Sequence, residues 1–487
     1  MDEEAAPIFK SSFSQGAFPS PDGSLVASVQ GSRLVLQDAS TYEIKRTIQL
    51  SADLASNVSF LKWPPPRITS SSEEDEQNLV EQPLRVLVAD DQTIEVYDAG
   101  DTNWKAVLDP GFGGMKYVGF GGNADEVLVL SEFGLKVTIW SLKSSFHVDL
   151  QHPKVGAKGF GYRPGTNQFA LLTRPAAHDL LSLYSTDSYM PIKSVELPTV
   201  DAQALKWSPD GRWIAVWDSA SAGYRVLMYT ANGQMFRTHE QPVVGLGLRT
   251  VEWSSDGEYL VLGGYDGSVV FLHNFKFNKA IEMRHTTEMK IFATDIWSEE
   301  LSVLGERNYT LITPPVNLPT LESPASDPNP KIGVSIISFS PDGLLVATKD
   351  ERMPSSVWIW SLENLTTLAV LVQLSPVKMV QWHPSRGDLL AVVCGTDPNG
   401  GSTNSTPAAY LWSRHWDYPK TIQVSRDLLS AHLWLRWIDR KESKGLAKNE
   451  ETDTSIGGQD ECVQFIVGDR ERYQILKLEE TIIAKEE

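Results

Sequence analysis

Cysteine is scarce in this 487-residue chain: only Cys394 and Cys462 occur, each inside an apolar, strand-like run. With no export signal, both are expected as buried free thiols in a reducing compartment. The opening MDEEAAPIFK is acidic and holds no apolar core, so a signal peptide is not expected. No run approaches the roughly 18 apolar residues of a membrane-spanning helix. Basic charge is in deficit, with 43 Lys and Arg against 62 Asp and Glu and a formal net charge of −19. Such a chain repels phosphate backbones and anionic lipid, and no compensating basic patch stands out. Nucleic acid and membranes are therefore not expected partners.

Catalytic signatures are missing as well. GFGGMK at 111–116 and GFGG at 119–122 hint at a phosphate loop, but the Walker spacing needs Lys-Ser/Thr opening a helix, and strands follow here. They read as turns. There is no Gly-x-Ser-x-Gly elbow and no His-Glu-x-x-His pair. His285 and Glu288 share a three-residue spacing without a third ligand, and His147, His152 and His383 are scattered. No catalytic residue, metal site, cofactor or small-molecule substrate is expected, and the chain reads as a non-enzyme.

What the sequence does contain is repetition. A unit recurs in which an aromatic or apolar residue precedes a Ser-Pro-Asp-Gly-type turn and an alternating strand, with a second strand about twenty residues later. Clear starts are FPSPDG at Phe18, KWSPDG at Trp207, EWSSDG at Trp253 and SFSPDG at Phe339. Degenerate starts fall at Trp63, Phe120, Phe160 and Trp382. The starts lie 40 to 57 residues apart, except for 86 between Trp253 and Phe339, where Trp297 stands in place of a missing start. A weak last unit runs from HLWLRWID to YQILKLEE. Pro-Asp-Gly fixes one φ, offers a side-chain acceptor and tolerates a positive φ, so it closes a hairpin. Period-two alternation then supplies strands whose faces stack on neighbouring sheets. Periods of about 40–45 residues mark four-stranded propeller blades. The expected fold is all-β, a WD40-type β-propeller array over 1–487 with nine to ten units, as one enlarged ring or a ring with extra blades. The N-terminal IFKSSF is expected to close the final blade, because an open edge strand invites aggregation. Trp207, Trp213, Trp217, Trp253, Trp358, Trp360, Trp382 and Trp412 fall in repeat positions that predict inter-blade core rather than a ligand cage.

Three segments break the pattern: 64–83 reads as a disordered acidic insertion, 396–408 as a flexible loop and 440–460 as a disordered insertion. In the first, Ser70, Ser71 and Ser72 each have an acidic residue three positions on, which suits an acidophilic kinase.

The units resemble WD repeats, although Gly-His is absent throughout and Trp-Asp survives as variants such as Tyr97-Asp98 and Trp360-Ser361. The side-chain network anchored by that polar pair is expected to be missing from most blades. Residues 329–393 narrow the resemblance. NPKIG, FSPDG, VATK, MPSSVWIW and QLSPVKMVQWHP, with LKWSPDGRWIAVWDS and YRVLMYTANG at 205–233, resemble the WD-repeat-eight family of centrosomal and spindle-pole-body propellers. That resemblance implies a non-enzymatic scaffold in the cytoplasm and cytoskeleton, at the spindle pole body or microtubule-organising centre. It would act with a coiled-coil spindle-pole or centrosomal protein and a minus-end-directed kinesin, as fungal members do, to anchor microtubule minus ends and organise the mitotic spindle. The alternative is a large propeller associated with ribosomes or translation factors. Candidate partner-binding residues are Lys331 and what are expected to be exposed members of the TKDERMP loop: Lys349, Asp350, Glu351, Arg352 and Met353.

Overall fold

The Ser-Pro-Asp-Gly phrase folds as its chemistry requires. Ser208 Oγ donates to Asp210 Oδ1 at 2.5 Å and accepts from the Trp213 amide at 3.0 Å. Asp210 also accepts from the Arg212 amide, and Gly211 takes φ +68°. The same turn recurs at Ser20–Asp22, Ser254–Asp256 and Ser340–Asp342, so one local sequence closes the first hairpin of four blades. The computed structural model describes residues 7–66, 83–111, 113–144, 146–154, 156, 158–241, 247–290, 294–303, 305–321, 332–396, 407–425, 428, 432–440 and 463–478. The insertions expected at 64–83, 396–408 and 440–460 lie largely outside these residues. So do Ser70, Ser71, Ser72, Lys331 and Cys462.

Nine four-stranded antiparallel blades form one ring. They cover residues 18–49, 60–108, 115–151, 160–196, 202–240, 248–284, 334–372 and 377–421, and the ninth is built from 434–478 plus Ile8–Lys10. We number them 1 to 9 in that order. Nine clusters of buried side chains fill the nine seams, each drawn from two adjacent sheets. Leu172 and Leu181 of blade 4 meet Ile214 and Val216 of blade 5, and Ala17 and Val26 of blade 1 meet Ile438 and Ile466 of blade 9. The ring is therefore held by a continuous belt of apolar seams.

Closure uses the N-terminus as the sequence predicts. Ile8, Phe9 and Lys10 pair with Gln474, Tyr473 and Arg472, and the Phe9 and Tyr473 rings lie 5.3 Å apart. Deleting residues 1–10 is expected to leave the edge of blade 9 unpaired and to raise aggregation on heating, as read by light scattering. A truncated chain that stays as dispersed as the intact one would contradict this.

The tenth unit does not exist as a blade. The first strand of blade 6 packs directly on that of blade 7, with Thr250 Oγ1 donating to Val334 O at 2.9 Å. Trp297 instead belongs to a hairpin, Asp295–Leu301 with Arg307–Ile312, laid against the outer edge of blade 7. Its first strand runs parallel to Thr366–Val372, with Trp297 opposite Leu371, so blade 7 becomes a six-stranded sheet.

Candidate interaction surface

The TKDERMP loop joins Leu345–Asp350 to Ser356–Ser361, two adjacent strands of blade 7. The expectation of an exposed charged loop is corrected by its packing. Lys349, Asp350 and Met353 are buried, Asp350 completely. Lys349 Nζ donates to Val377 O of blade 8 at 2.8 Å and pairs with Glu351 at 3.0 Å. Asp350 Oδ2 accepts from Arg352 Nε and Nη2 at 2.9 and 2.5 Å, and Oδ1 accepts from the Arg352 amide. Burial opposes ionisation of Asp350, yet these donors and the guanidinium charge hold its carboxyl below the ordinary value. Glu351 lies 3.8 Å from Arg249 of blade 6, and Met353 packs with Trp358 and Val334. The charges are internal braces linking blades 6, 7 and 8. Among the candidates, Glu351 and Arg352 keep partial exposure, and Lys331 lies outside the described residues.

Asp350 also completes a network that spans the seam with blade 6. Trp360 Nε1 donates to Thr348 Oγ1 at 2.8 Å, Thr348 lies 2.8 Å from His285 Nε2, and His285 Nδ1 lies 3.2 Å from Gly267 O and 4.0 Å from Asp350. Both ring nitrogens are engaged, consistent with a neutral imidazole that donates to Gly267 and accepts from Thr348. Burial pushes its pKa down to about 4. A buried polar network crosses this seam although no Gly-His dipeptide supplies it. His285 is thus structural, and Glu288 points elsewhere, pairing with Lys290 at 2.9 Å.

The tryptophans are inter-blade latches. Trp63 donates its indole N–H to Phe18 O, Trp207 to Gly161 O, Trp253 to Lys206 O, Trp382 to Ser338 O and Trp437 to Gln381 O, at 2.9–3.3 Å. Each acceptor belongs to the first strand of the preceding blade, so these strands are innermost and share one register. Trp358 and Trp360 stack at 5.3 Å, and Trp412 meets Trp382 edge-on. Trp213 and Trp217 are half-buried beside the seam of blades 5 and 6.

Elsewhere the chemistry is sparse. Gly111, Gly113 and Gly114 adopt positive φ in the turn that leads into strand Met115–Phe120, which is not phosphate-loop geometry. A cleft of about 160 Å³ is lined by Asn123, Glu126, Asn167, Asp187 and Tyr189. In it Tyr189 donates to Glu126 at 2.6 Å, and burial raises the Glu126 carboxyl. No sequence motif pointed to this pair, whose members are 63 residues apart. Cys394 is a buried free thiol pushed upward by burial. Among the described residues no group of three His, Cys, Asp or Glu could hold a metal, and no helix is long and apolar enough to cross a membrane.

Fold, latches and blade network together define a nine-bladed β-propeller of the WD40-repeat class, a fold that presents loops on two rims. Residues 232–271 match the WD domain, G-beta repeat family. Along its length the chain is 27% identical over 415 residues to WD repeat-containing protein WRAP73 of Mus musculus, covering 81% of this chain and 83% of that one. It is 25% identical over 477 residues to an uncharacterized WD repeat-containing protein of Schizosaccharomyces pombe, covering 95% and 92%. A crystal structure of a eukaryotic initiation factor superposes with a TM-score of 0.53 at 11% identity, covering 87% of this chain and 90% of that one. That last likeness is one of fold.

Proposed function

We propose that the chain is a non-enzymatic scaffold of the spindle pole body or centrosome. It would act with a coiled-coil partner and a minus-end-directed kinesin to anchor microtubule minus ends. The observation that carries this reading is the NPKIG to MPSSVWIW segment, whose long, Met-Pro-ended hairpin resembles the WD-repeat-eight family where a generic repeat has a short turn. Support comes from the way that hairpin is built: Lys349, Asp350 and Met353 are committed to the fold, which holds the remaining edge, Glu351 and Arg352, rigid for a partner. A charge of −19 fits attachment through partners, since the tubulin surface is itself acidic.

Affinity capture of the tagged full chain, combined with fluorescence microscopy, tests the reading. A focus at spindle poles with coiled-coil and kinesin partners is the expected result; ribosomal partners and a diffuse signal would overturn it. Tight co-sedimentation of the purified chain alone with microtubules would remove the indirect-attachment step.

A further inference from the structure

The common register set by the tryptophan latches sorts charge around the central channel. Two positions of each innermost strand are relevant, one and four residues before the latch tryptophan or the aromatic in its place, Phe120 in blade 3, Tyr162 in blade 4 and Phe339 in blade 7. The nearer position carries Lys62, Lys206 and Arg436 against a single acid, Glu252. The farther one carries Lys116, Lys158, Arg249 and Lys378 and no acid. Seven bases to one acid reverses the balance of a chain with 43 basic and 62 acidic residues.

The backbone projects the farther set. The first hairpin of five blades slips register by one residue at the same place, at Lys116, Gln203, Arg249, Ser335 and Lys378. A bulge leaves that residue out of the ladder and re-aims its side chain. Lys158 holds the equivalent place in blade 4, its carbonyl accepting from the Leu205 amide of blade 5. Lys116, Lys158 and Lys378 are exposed although they lie on or beside innermost strands, so the solvent they meet is that of the channel and its mouth.

Most of this charge has no counter-charge. Lys206 pairs with Glu252, and Arg249 approaches Glu351. Among the described residues Lys62, Lys116, Lys158, Lys378 and Arg436 have no carboxylate in ion-pair range. Lys62 Nζ sits 3.8 Å over the Tyr117 ring, and burial lowers it to about 8. Arg436 lies 3.8 Å over Phe18 and donates to Ala17 O. Nearby rim acids are already neutralised: Asp179 and Asp201 by Lys154, and Asp350 by Arg352.

We infer that the channel binds an acidic polypeptide segment, an extended run with carboxylates every few residues. The bases are spread over blades 2–6, 8 and 9, so a compact anion reaches only neighbours, whereas a chain can follow the ring. The unengaged groups are chiefly lysines, point charges suited to carboxylates, while both arginines already donate to backbone carbonyls.

Fluorescence anisotropy with the full chain and a labelled decaglutamate peptide tests this. Binding that weakens with added salt is expected. It should fall about tenfold or more in the triple variant Lys116→Glu, Lys158→Glu, Lys378→Glu. A triple variant with the same change of net charge on the outside, Lys45→Glu, Lys143→Glu, Lys290→Glu, should bind like the parent. No binding by the parent chain, equal losses in both variants, or tighter binding of tripolyphosphate or an oligothymidylate would each overturn the inference.

Discussion

Replacing Glu299 by alanine is expected to lower stability by about 3–5 kcal/mol, because it removes the carboxylate paired with a buried cation. The Glu299 side chain is fully buried, and its Oε1 takes the Arg307 guanidinium and the Tyr410 hydroxyl together. Its Oε2 accepts from the Leu374 amide at 2.7 Å. Arg307 lies 2.8 Å from Tyr410 and is nearly as enclosed. One carboxylate thus ties the added hairpin to the end of blade 7 and the third strand of blade 8. Without it, the guanidinium loses its paired carboxylate, and the Tyr410 phenol and the Leu374 amide lose the acceptor they share, in a seam that water cannot readily enter. Chemical denaturation reads the loss, and Glu299→Gln, which keeps an acceptor for Leu374, should lose less. The double variant Glu299→Ala, Arg307→Ala should recover part of the deficit. A single alanine variant within about 0.5 kcal/mol of the parent would show that the hairpin is decoration. Proteolysis offers a second reading, since Val303 at the hairpin tip is fully exposed and a loosened hairpin would be cut there first.

That hairpin is also where sequence reasoning placed a tenth blade. Trp297 and the alternation around it satisfy the period of a strand, and the 86-residue gap before Phe339 leaves room for a repeat. Period-two patterning reports that one face is buried, not which sheet buries it. The parallel register with Thr366–Val372 is a tertiary choice, and nothing within 288–317 announces it. Elsewhere the local signals agreed with one another. Ser-Pro-Asp-Gly turns, alternation and aromatic starts all pointed to blades, and the N-terminal strand was legible because the last unit lacked a partner for its edge.

The loop of blade 7 was misread for a related reason. Four consecutive charges in Lys349–Arg352 suggest solvent, because charged residues are rarely buried unless paired. Here they pair with one another, Lys349 with Glu351 and Asp350 with Arg352, and the remaining partners lie in the neighbouring blades: Val377 O for Lys349 and Arg249 for Glu351. The channel lysines escaped notice in the opposite sense. Each stands alone in its repeat, at one residue per 40 or more, so no window of sequence shows a basic cluster. Only aligning the repeats on their aromatics stacks Lys116, Lys158, Arg249 and Lys378 in one column.

His285 was hidden by distance, since 63 residues separate it from Thr348, whereas a compact repeat sets its histidine just ahead of the blade. Its burial has a pH consequence whose sign is fixed. The imidazole titrates near 6.5 when unfolded and at about 4 in the fold, so between those values the unfolded chain binds the extra proton. Stability supplied by the neutral ring is therefore present above pH 6.5 and is lost as pH falls toward 4, by about 3 kcal/mol in total. The groups facing the ring are Thr348, Trp358, Trp360, the Gly267 carbonyl, Asp350 and, through its charge, Arg352. Asp350 acts in a lower window: its lowered pKa means that its stabilisation fades only below its ordinary 3.8. His239 is also lowered, by burial and then by Arg237 and Lys279, and adds to the same acid loss. His285→Gln separates the two histidines. It should destabilise the chain by about 1–3 kcal/mol at neutral pH by breaking the network between Thr348 and Gly267. Because glutamine does not titrate, the deficit against the parent should shrink as the pH is lowered from 7 to 4.5, and the two denaturation midpoints should converge. Parallel midpoints across that range would mean that the fold does not hold His285 neutral, and that the acid sensitivity of the propeller lies in another seam.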